Sequence, residues 1–193
     1  MKRLPLIVTL VCLALAAGAL LALPALRTPA DGPVPRFHLT DHHGATVTEA
    51  NLQGQVSVIY FGYTFCPDVC PTELSYLSRV LKALGSDGDQ VTPLFVSVDP
   101  ERDTQATLAS YAPYFDKRLR GLTGSPDAVT AACQAFGVVA RRVEGTPGSN
   151  HYLMDHTSTI FVLDRHGRVA ARISSHDPIA QAVTTIRALL ESP

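Results

Sequence analysis

The chain contains no tryptophan and only two methionines among its 193 residues, and its 16 Lys and Arg residues nearly balance its 17 Asp and Glu residues. A near-neutral charge without a basic patch argues against nucleic-acid binding, so we expect no nucleic acid among its ligands. One of the two methionines, Met1, is the initiator, so a single methionine remains and a Met-rich metal-binding protein is also excluded. No repeat or low-complexity tract interrupts the chain, and its length suits one sizeable hydrophobic core.

Charged residues are absent from residues 4–26, an apolar run of about 23 residues that follows Lys2 and Arg3. The run exceeds the ~20 residues needed to cross a bilayer, and the positive charges before it place the rest of the chain outside the cytoplasm. No convincing cleavage site follows, so we predict that residues 1–27 form a single-pass membrane anchor rather than a cleaved signal peptide. The Pro-rich residues 28–36 then form a linker, and residues 37–193 form one domain.

Buried strands and amphipathic helices alternate through this domain. Apolar runs predict strands, Leu residues at helical spacing predict a helix that Gly85 ends, and Ser125, Pro126 and Gly137 mark the start and stop of another helix. The predicted order is a β-hairpin, then β, α, β, α, β, α, a second hairpin that turns at residues 164–167, and a helix that Asp177 caps. This order predicts an α/β fold in which a central, largely parallel sheet is flanked by helices.

Cysteine is scarce, yet two of the four cysteines, Cys66 and Cys70, are separated by only three residues at the junction of a buried strand and a helix. The helix N-terminus favours thiolates, so we expect lowered thiol pKa values. Residues at i and i+4 share a helix face, so both sulfurs can contact one ligand. Two soft thiolates suit Cu(I) or Zn, and the pair can also close into a disulfide. Metal binding and redox exchange both remain open, whereas a structural disulfide over so short a loop would stabilise little.

A third ligand would distinguish metal binding from redox exchange. His156, flanked by Asp155, stands at the entrance of a strongly hydrophobic strand, where an imidazole requires a reason, and it is the candidate. Cys12 falls in the apolar run and Cys133 in a predicted helix, where both suit apolar packing. The other histidines lie in predicted turns, loops or a strand and carry no such indication: His38, His42, His43, His151, His166 and His176.

Four segments carry a resemblance to a known family. They read "GYTFCPDVCPTEL", "VSVDPERDT", "GLTG" and "MDHTSTIFVLD", and their order and spacing resemble those of the Sco/SenC family, which comprises membrane-anchored, thioredoxin-fold, copper-binding proteins. The similarity covers nearly all of residues 37–190. It implies a thioredoxin-like fold with a central mixed sheet, and copper, as Cu(I) or Cu(II), bound by Cys66, Cys70 and His156. Asp155 would supply an oxygen or orient His156, although it could equally cap a loop.

The resemblance also implies a role outside the cytoplasm, at the inner membrane of a bacterium, with the domain in the periplasm or at the cell exterior. The leading hypothesis is a copper metallochaperone, a binding protein rather than an enzyme, that helps assemble the binuclear copper centre in subunit II of cytochrome c oxidase. Its partners would be that subunit, a thioredoxin-like reductant and a periplasmic copper donor.

The alternative is a membrane-anchored thiol–disulfide oxidoreductase that keeps the cysteines of the oxidase copper site reduced. In this role Cys66 attacks and Cys70 resolves, so the two form a redox-active disulfide. A peroxiredoxin-like peroxidase fits less well, because Thr64 stands two rather than three residues before Cys66.

Overall fold

The computed structural model describes residues 32–144 and 152–192, which form nine strands and four α-helices. The strands are β1 (His38–Asp41), β2 (Thr46–Thr48), β3 (Val56–Gly62), β4 (Val91–Ser97), β5 (Arg120–Thr123), β6 (Ala140–Glu144), β7 (Tyr152–His156), β8 (Ile160–Leu163) and β9 (Val169–Ile173). The helices are α1 (Val69–Ala83), α2 (Gln105–Phe115), α3 (Pro126–Phe136) and α4 (Ile179–Leu190). Two short 3-10 helices, Glu49–Leu52 and Gly85–Gln90, complete the described part of the chain.

Seven strands form one mixed sheet in the order β2-β1-β5-β4-β3-β8-β9. The neighbours β3, β4 and β5 run parallel, whereas the remaining pairs are antiparallel. Every residue of β3 is buried, as its unbroken apolar run predicted, because a central parallel strand is covered on both faces. The predicted α/β architecture with helices is therefore confirmed, and so is the mixed sheet that the family resemblance implies. The largely parallel sheet that the residue pattern predicts is wrong, because four of the six strand pairings are antiparallel.

The predicted helix boundaries follow local capping chemistry. The Ser125 hydroxyl accepts a hydrogen bond from the Ala128 amide at the start of α3, and Gly137 ends this helix in the left-handed conformation, with φ of 67°. Thr104 caps α2 by accepting from the Thr107 amide. The predicted Asp177 cap of α4 is wrong, because its carboxylate accepts from the Ser174 amide and Pro178 occupies the cap position.

An antiparallel ribbon of two strands, β6 and β7, was not anticipated. The sequence predicts that His156 stands at the entrance of a hydrophobic strand. In the structure, His156 is the last residue of β7 and pairs with Ala140. The reason is compositional, because the adjacent exposed residues Arg141 and Arg142 interrupt the apolar pattern from which strands are predicted. We refer to β6 and β7 as the ribbon.

The predicted membrane anchor, residues 1–27, lies outside the described residues. Across residues 32–144 and 152–192, no helix combines the length and apolarity needed to cross a membrane.

Substituting Gly137 tests the turn that leads from α3 into the ribbon. Gly137→Ala should lower the free energy of unfolding by about 1 kcal/mol, because a Cβ disfavours the left-handed conformation. Gly137→Asn is the matched control and should lose less, since Asn tolerates this conformation. Urea denaturation measures the free energy of unfolding of both variants. Equal stability of the wild type and the two variants would contradict the preference for glycine that we assign to this turn.

Candidate metal centre

Two thiols and one imidazole converge at the end of β3. One ligand atom from each of Cys66, Cys70 and His156 lies within 4.8 Å of the others. The Cys70 Sγ is 3.2 Å from the His156 Nε2, although the two residues are 86 positions apart in the chain. Within residues 32–144 and 152–192, this is the group of His, Cys and acidic side chains with the geometry to hold a metal ion. The fold thus brings together the three residues that the sequence analysis singled out.

The two cysteines are positioned by the junction between β3 and α1. Cys66 lies in the connecting loop, where its amide donates to the Tyr63 carbonyl oxygen at 3.3 Å. Cys70 lies in the first turn of α1, is fully buried, and donates its amide to the Cys66 Sγ at 3.4 Å. An amide at the helix N-terminus, which has no partner within the helix, thus faces the Cys66 sulfur. Both residues are free thiols.

The expected lowering of the thiol pKa values is wrong for Cys70. Burial raises the pKa of Cys70, and the neighbouring Cys66 raises it further. Removing a sulfur from water disfavours its anionic form, and here this effect outweighs the helix N-terminus. Without a metal, Cys70 is therefore a neutral thiol at physiological pH.

His156 is held with one nitrogen directed at the sulfurs. Its Nδ1 lies 3.1 Å from the Thr157 carbonyl oxygen, which can only accept, so we assign the ring proton to Nδ1. The Nε2 lone pair then faces Cys70. The ring stands perpendicular to that of Tyr63, with 5.8 Å between centroids. Burial lowers the pKa of His156, which favours the neutral imidazole that a metal requires.

The predicted contact between Asp155 and His156 is not made. Successive side chains of a strand point to opposite faces, so Asp155 turns outward while His156 turns inward. The Asp155 carboxylate pairs instead with the Arg141 guanidinium at 2.7 Å. The Thr157 carbonyl therefore takes the orienting role that was expected of Asp155.

The other histidines that the structure describes are not part of this cluster. His42 lies in a turn, and its Nδ1 accepts from the Gly121 amide at 2.9 Å. Met154 packs against the core. His151 lies outside the described residues. The others are exposed at the surface: His38, His43, His166 and His176.

Gly62 is a site residue that the sequence analysis missed. A Cβ at this last position of β3 would lie 2.9 Å from the Cys70 Sγ and 2.9 Å from a ring carbon of Tyr60. Such contacts are too close, so only glycine leaves room for the sulfur. The available signal was a lone glycine within a run of bulky residues, which often marks a close approach of the backbone to another group.

A buried carboxylate fixes the loop that carries Cys66. The Asp103 carboxylate accepts from the Thr64 amide at 3.0 Å and from the Thr64 hydroxyl at 2.6 Å. It also accepts from the Ser97 hydroxyl at the end of β4. Burial raises the pKa of Asp103. Thr104 caps the helix that follows, whereas Asp103 joins the cysteine loop to the sheet.

A solved structure of low sequence identity is similar to this chain in its fold. BsSco, a member of the Sco family of cytochrome c oxidase assembly proteins in which a disulfide switch was identified, superposes with a TM-score of 0.64 at 22% identity. The alignment covers 81% of this chain and 92% of BsSco.

Closer relatives place the chain in a family. The SCO1/SenC family model matches residues 27–191. The SCO2-like protein of Rickettsia felis is 32% identical over 176 residues, covering 84% of this chain and 85% of that protein. The structure of Bradyrhizobium japonicum ScoI with copper bound has a TM-score of 0.75 at 40% identity, covering 82% of this chain and 99% of ScoI. With its thioredoxin-like Sco fold, the chain belongs to the SCO1/SenC family.

Proposed function

We propose that this protein binds copper through Cys66, Cys70 and His156 and carries it in the assembly of cytochrome c oxidase. The observation that supports this proposal best is the convergence of the three ligand atoms within 4.8 Å. Two thiolates and an imidazole form a ligand set that suits Cu(I). The copper-bound structure of the similar ScoI of Bradyrhizobium japonicum supports the choice of metal.

The exposure of the site suits a metal that arrives and leaves. Cys70 is buried, whereas Cys66 and His156 are half-buried. A partner's ligands can therefore approach from the side of Cys66 and His156, while Cys70 remains fixed beneath them. A resident structural metal would be expected to have a closed set of four ligands, so three ligands with an accessible side favour transfer.

The finer assignments of the sequence analysis enter here as part of the proposal. Residues 1–27 anchor the chain in the inner membrane, and the domain faces the periplasm or cell exterior. The target is the binuclear copper centre of subunit II of cytochrome c oxidase. A periplasmic donor supplies copper, and a thioredoxin-like reductant keeps Cys66 and Cys70 reduced, because this compartment tends to oxidise thiols.

A second candidate function, reduction of the oxidase thiols, is favoured by the arrangement of the two sulfurs. Cys66, the more accessible of the two, is placed to attack, and its Sγ lies next to Cys70, the resolving thiol, whose amide donates to it. Exchange between thiols does not need His156. The effect of replacing His156 therefore distinguishes the two functions.

Replacing the ligands one at a time tests copper binding. His156→Ala should weaken Cu(II) more than about 100-fold, since loss of a mere outer-shell partner already costs 10–100-fold. Cu(I) should weaken much less, because both sulfurs remain. Cys66→Ser and Cys70→Ser should weaken both oxidation states. Anaerobic competition titrations with optical and paramagnetic readout measure these affinities.

The exposed turn residue His166 provides the control, and His166→Ala should bind copper like the wild type. Equal Cu(II) affinity of wild type and His156→Ala would remove His156 from the site. Negligible copper binding by the reduced wild type, with a thiol-exchange rate unaffected by His156→Ala, would favour the reductase function instead.

The protonation states of the free site predict the pH dependence of binding. Burial raises the pKa of Cys70 and lowers that of His156, so copper must displace a thiol proton but no imidazole proton. We expect apparent Cu(I) affinity to rise with pH between about pH 6.5 and pH 8, above the ordinary range of His. Competition titrations at several pH values check this, and His156→Ala should give the same slope. Affinity independent of pH would contradict a protonated Cys70.

Adding one methyl group to β3 tests the space beneath Cys70. Gly62→Ala should displace the Cys70 Sγ and lower copper affinity about tenfold, equivalent to about 1.4 kcal/mol. Gly121→Ala in β5 is the matched control, because its Cβ would lie 2.8 Å from the Leu108 Cβ, away from the sulfurs. Both variants should lose about 1–3 kcal/mol of stability from overpacking. Equal copper affinity in the two variants would contradict a role for Gly62 in the site.

A further inference from the structure

The metal centre is built from two halves that no strand pairing joins. Cys66 and Cys70 belong to the cysteine loop, residues 63–68, and to the helix that follows it. His156 belongs to the ribbon, whose two strands pair with each other and form a sheet separate from the seven-stranded one. Residues 157–159 connect His156 to Ile160 of β8, which pairs with Tyr60 of β3. Beyond this connection, side-chain contacts between the two halves set the separation between the imidazole and the sulfurs.

Arg102 contacts both halves. Toward the ribbon, its Nη1 donates to the Tyr152 carbonyl oxygen at 3.0 Å, and its guanidinium lies 3.6 Å from the centroid of the Tyr152 ring. Toward the cysteine loop, the same guanidinium lies 4.8 Å from the Phe65 ring and 5.7 Å from the Tyr63 ring. Phe65 directly precedes Cys66, and Tyr152 lies four residues before His156 on the same strand face.

Arg102 is itself fixed to the sheet. Its Nε donates to the Asp99 carboxylate, which is 3% exposed just after β4. The other oxygen of Asp99 accepts from the Tyr152 hydroxyl at 2.7 Å. The Asp99 amide donates to the Ser97 hydroxyl. An arginine held this firmly can act as a spacer between ribbon and loop.

A second arginine sharpens this assignment. The Arg142 guanidinium also lies near the Tyr152 ring, at 3.7 Å from its centroid. Arg142 belongs to the ribbon, however, and its guanidinium pairs with Glu101. Of these two arginines, it is Arg102 whose backbone lies outside the ribbon.

We propose that Arg102 is a positioning residue that sets the distance between the His156 imidazole and the two sulfurs. This inference rests on the proposed copper function. The planar guanidinium stacks on aromatic rings while donating hydrogen bonds in fixed directions, and a lysine ammonium cannot do both. The sulfurs are held by α1 and by the contact of Asp103 with Thr64, so loss of Arg102 releases the imidazole more than the thiols.

The test compares Arg102→Gln and Arg102→Lys with wild type in the purified full-length chain. Arg102→Gln should lower Cu(II) affinity about tenfold or more, as loss of an outer-shell contact does, and weaken nitrogen coupling in the paramagnetic spectrum. Cu(I) affinity should fall less than about threefold, because both sulfur ligands stay in place. Arg102→Lys should recover part of the loss, since it keeps the charge beside Asp99. Arg187→Gln, which removes an ion pair with Asp87, is the control and should change neither affinity.

The selectivity for oxidation state decides the outcome. Unchanged Cu(II) affinity and spectrum in Arg102→Gln would overturn the proposal. Equal losses for Cu(I) and Cu(II), together with a lower melting temperature, would also overturn it, because that pattern indicates a structural role only.

A metal-free measurement separates this inference from the proposed function. Amide hydrogen exchange of the apo protein should accelerate in both residues 64–66 and residues 152–157 of Arg102→Gln, with α4 unchanged. If wild type failed to bind copper, the copper function would fail, while faster exchange in both segments would still show that Arg102 joins the halves. Exchange unchanged in either segment would overturn the joining role.

Discussion

The approach of the His156 imidazole to the Cys70 thiol, 3.2 Å apart in a largely buried position, is the contact on which the site depends. Neither group could be buried as an isolated charge without a large cost in solvation. Burial acts on each in the direction that removes charge, since the pKa of Cys70 rises and that of His156 falls. A neutral pair can therefore stay in place without a metal, which keeps the ligands organised before copper arrives.

The parallel centre of the sheet explains why the ligands meet where they do. Strands β3 and β4 run side by side and end at the same edge, where Gly62 pairs with Ser97. The cysteine loop leaves from one of these ends and the segment of Asp99, Arg102 and Asp103 from the other, so the hydrogen bonds of Asp103 to Thr64 and to Ser97 span a short gap. Binding groups gather at the carboxyl ends of parallel strands for this reason. Of the three ligands, His156 is the one that reaches this edge from the ribbon, outside the seven-stranded sheet.

Sequence patterns predicted what local chemistry determines and missed what tertiary contacts determine. The apolar run of β3 and the Ser125 and Gly137 signals of α3 lie within a few residues of the structure they specify, so they could be interpreted directly. The ribbon could not, because β6 is exposed and rich in arginine, and Tyr152 is held by partners about 50 residues away. The ligands themselves came from residue chemistry together with a family resemblance. The thiol pKa was misjudged because the helix N-terminus is visible in sequence, whereas the burial of Cys70 is not.

The site is divided between the cysteine loop with α1, which carry the sulfurs, and the ribbon, which carries the imidazole. This division bears on the release of copper in the proposed function. The sulfurs are fixed by the first turn of α1, by the space at Gly62 and by the Asp103 contacts. His156 lies on the ribbon, where the Tyr152 hydroxyl donates to Asp99. In the proposed function, a displacement of the ribbon that withdrew His156 would reduce the number of ligands from three to two, with the thiols still in place. Cu(I) accepts low coordination and soft sulfur ligands, whereas Cu(II) prefers nitrogen and oxygen ligands in a larger set. In the proposed function, withdrawal of the imidazole would therefore favour the reduced ion and leave it on two sulfurs, of which Cys66 is the accessible one. The proposed transfer would then take place by exchange with a partner's thiols at Cys66, with Cys70 as the fixed support.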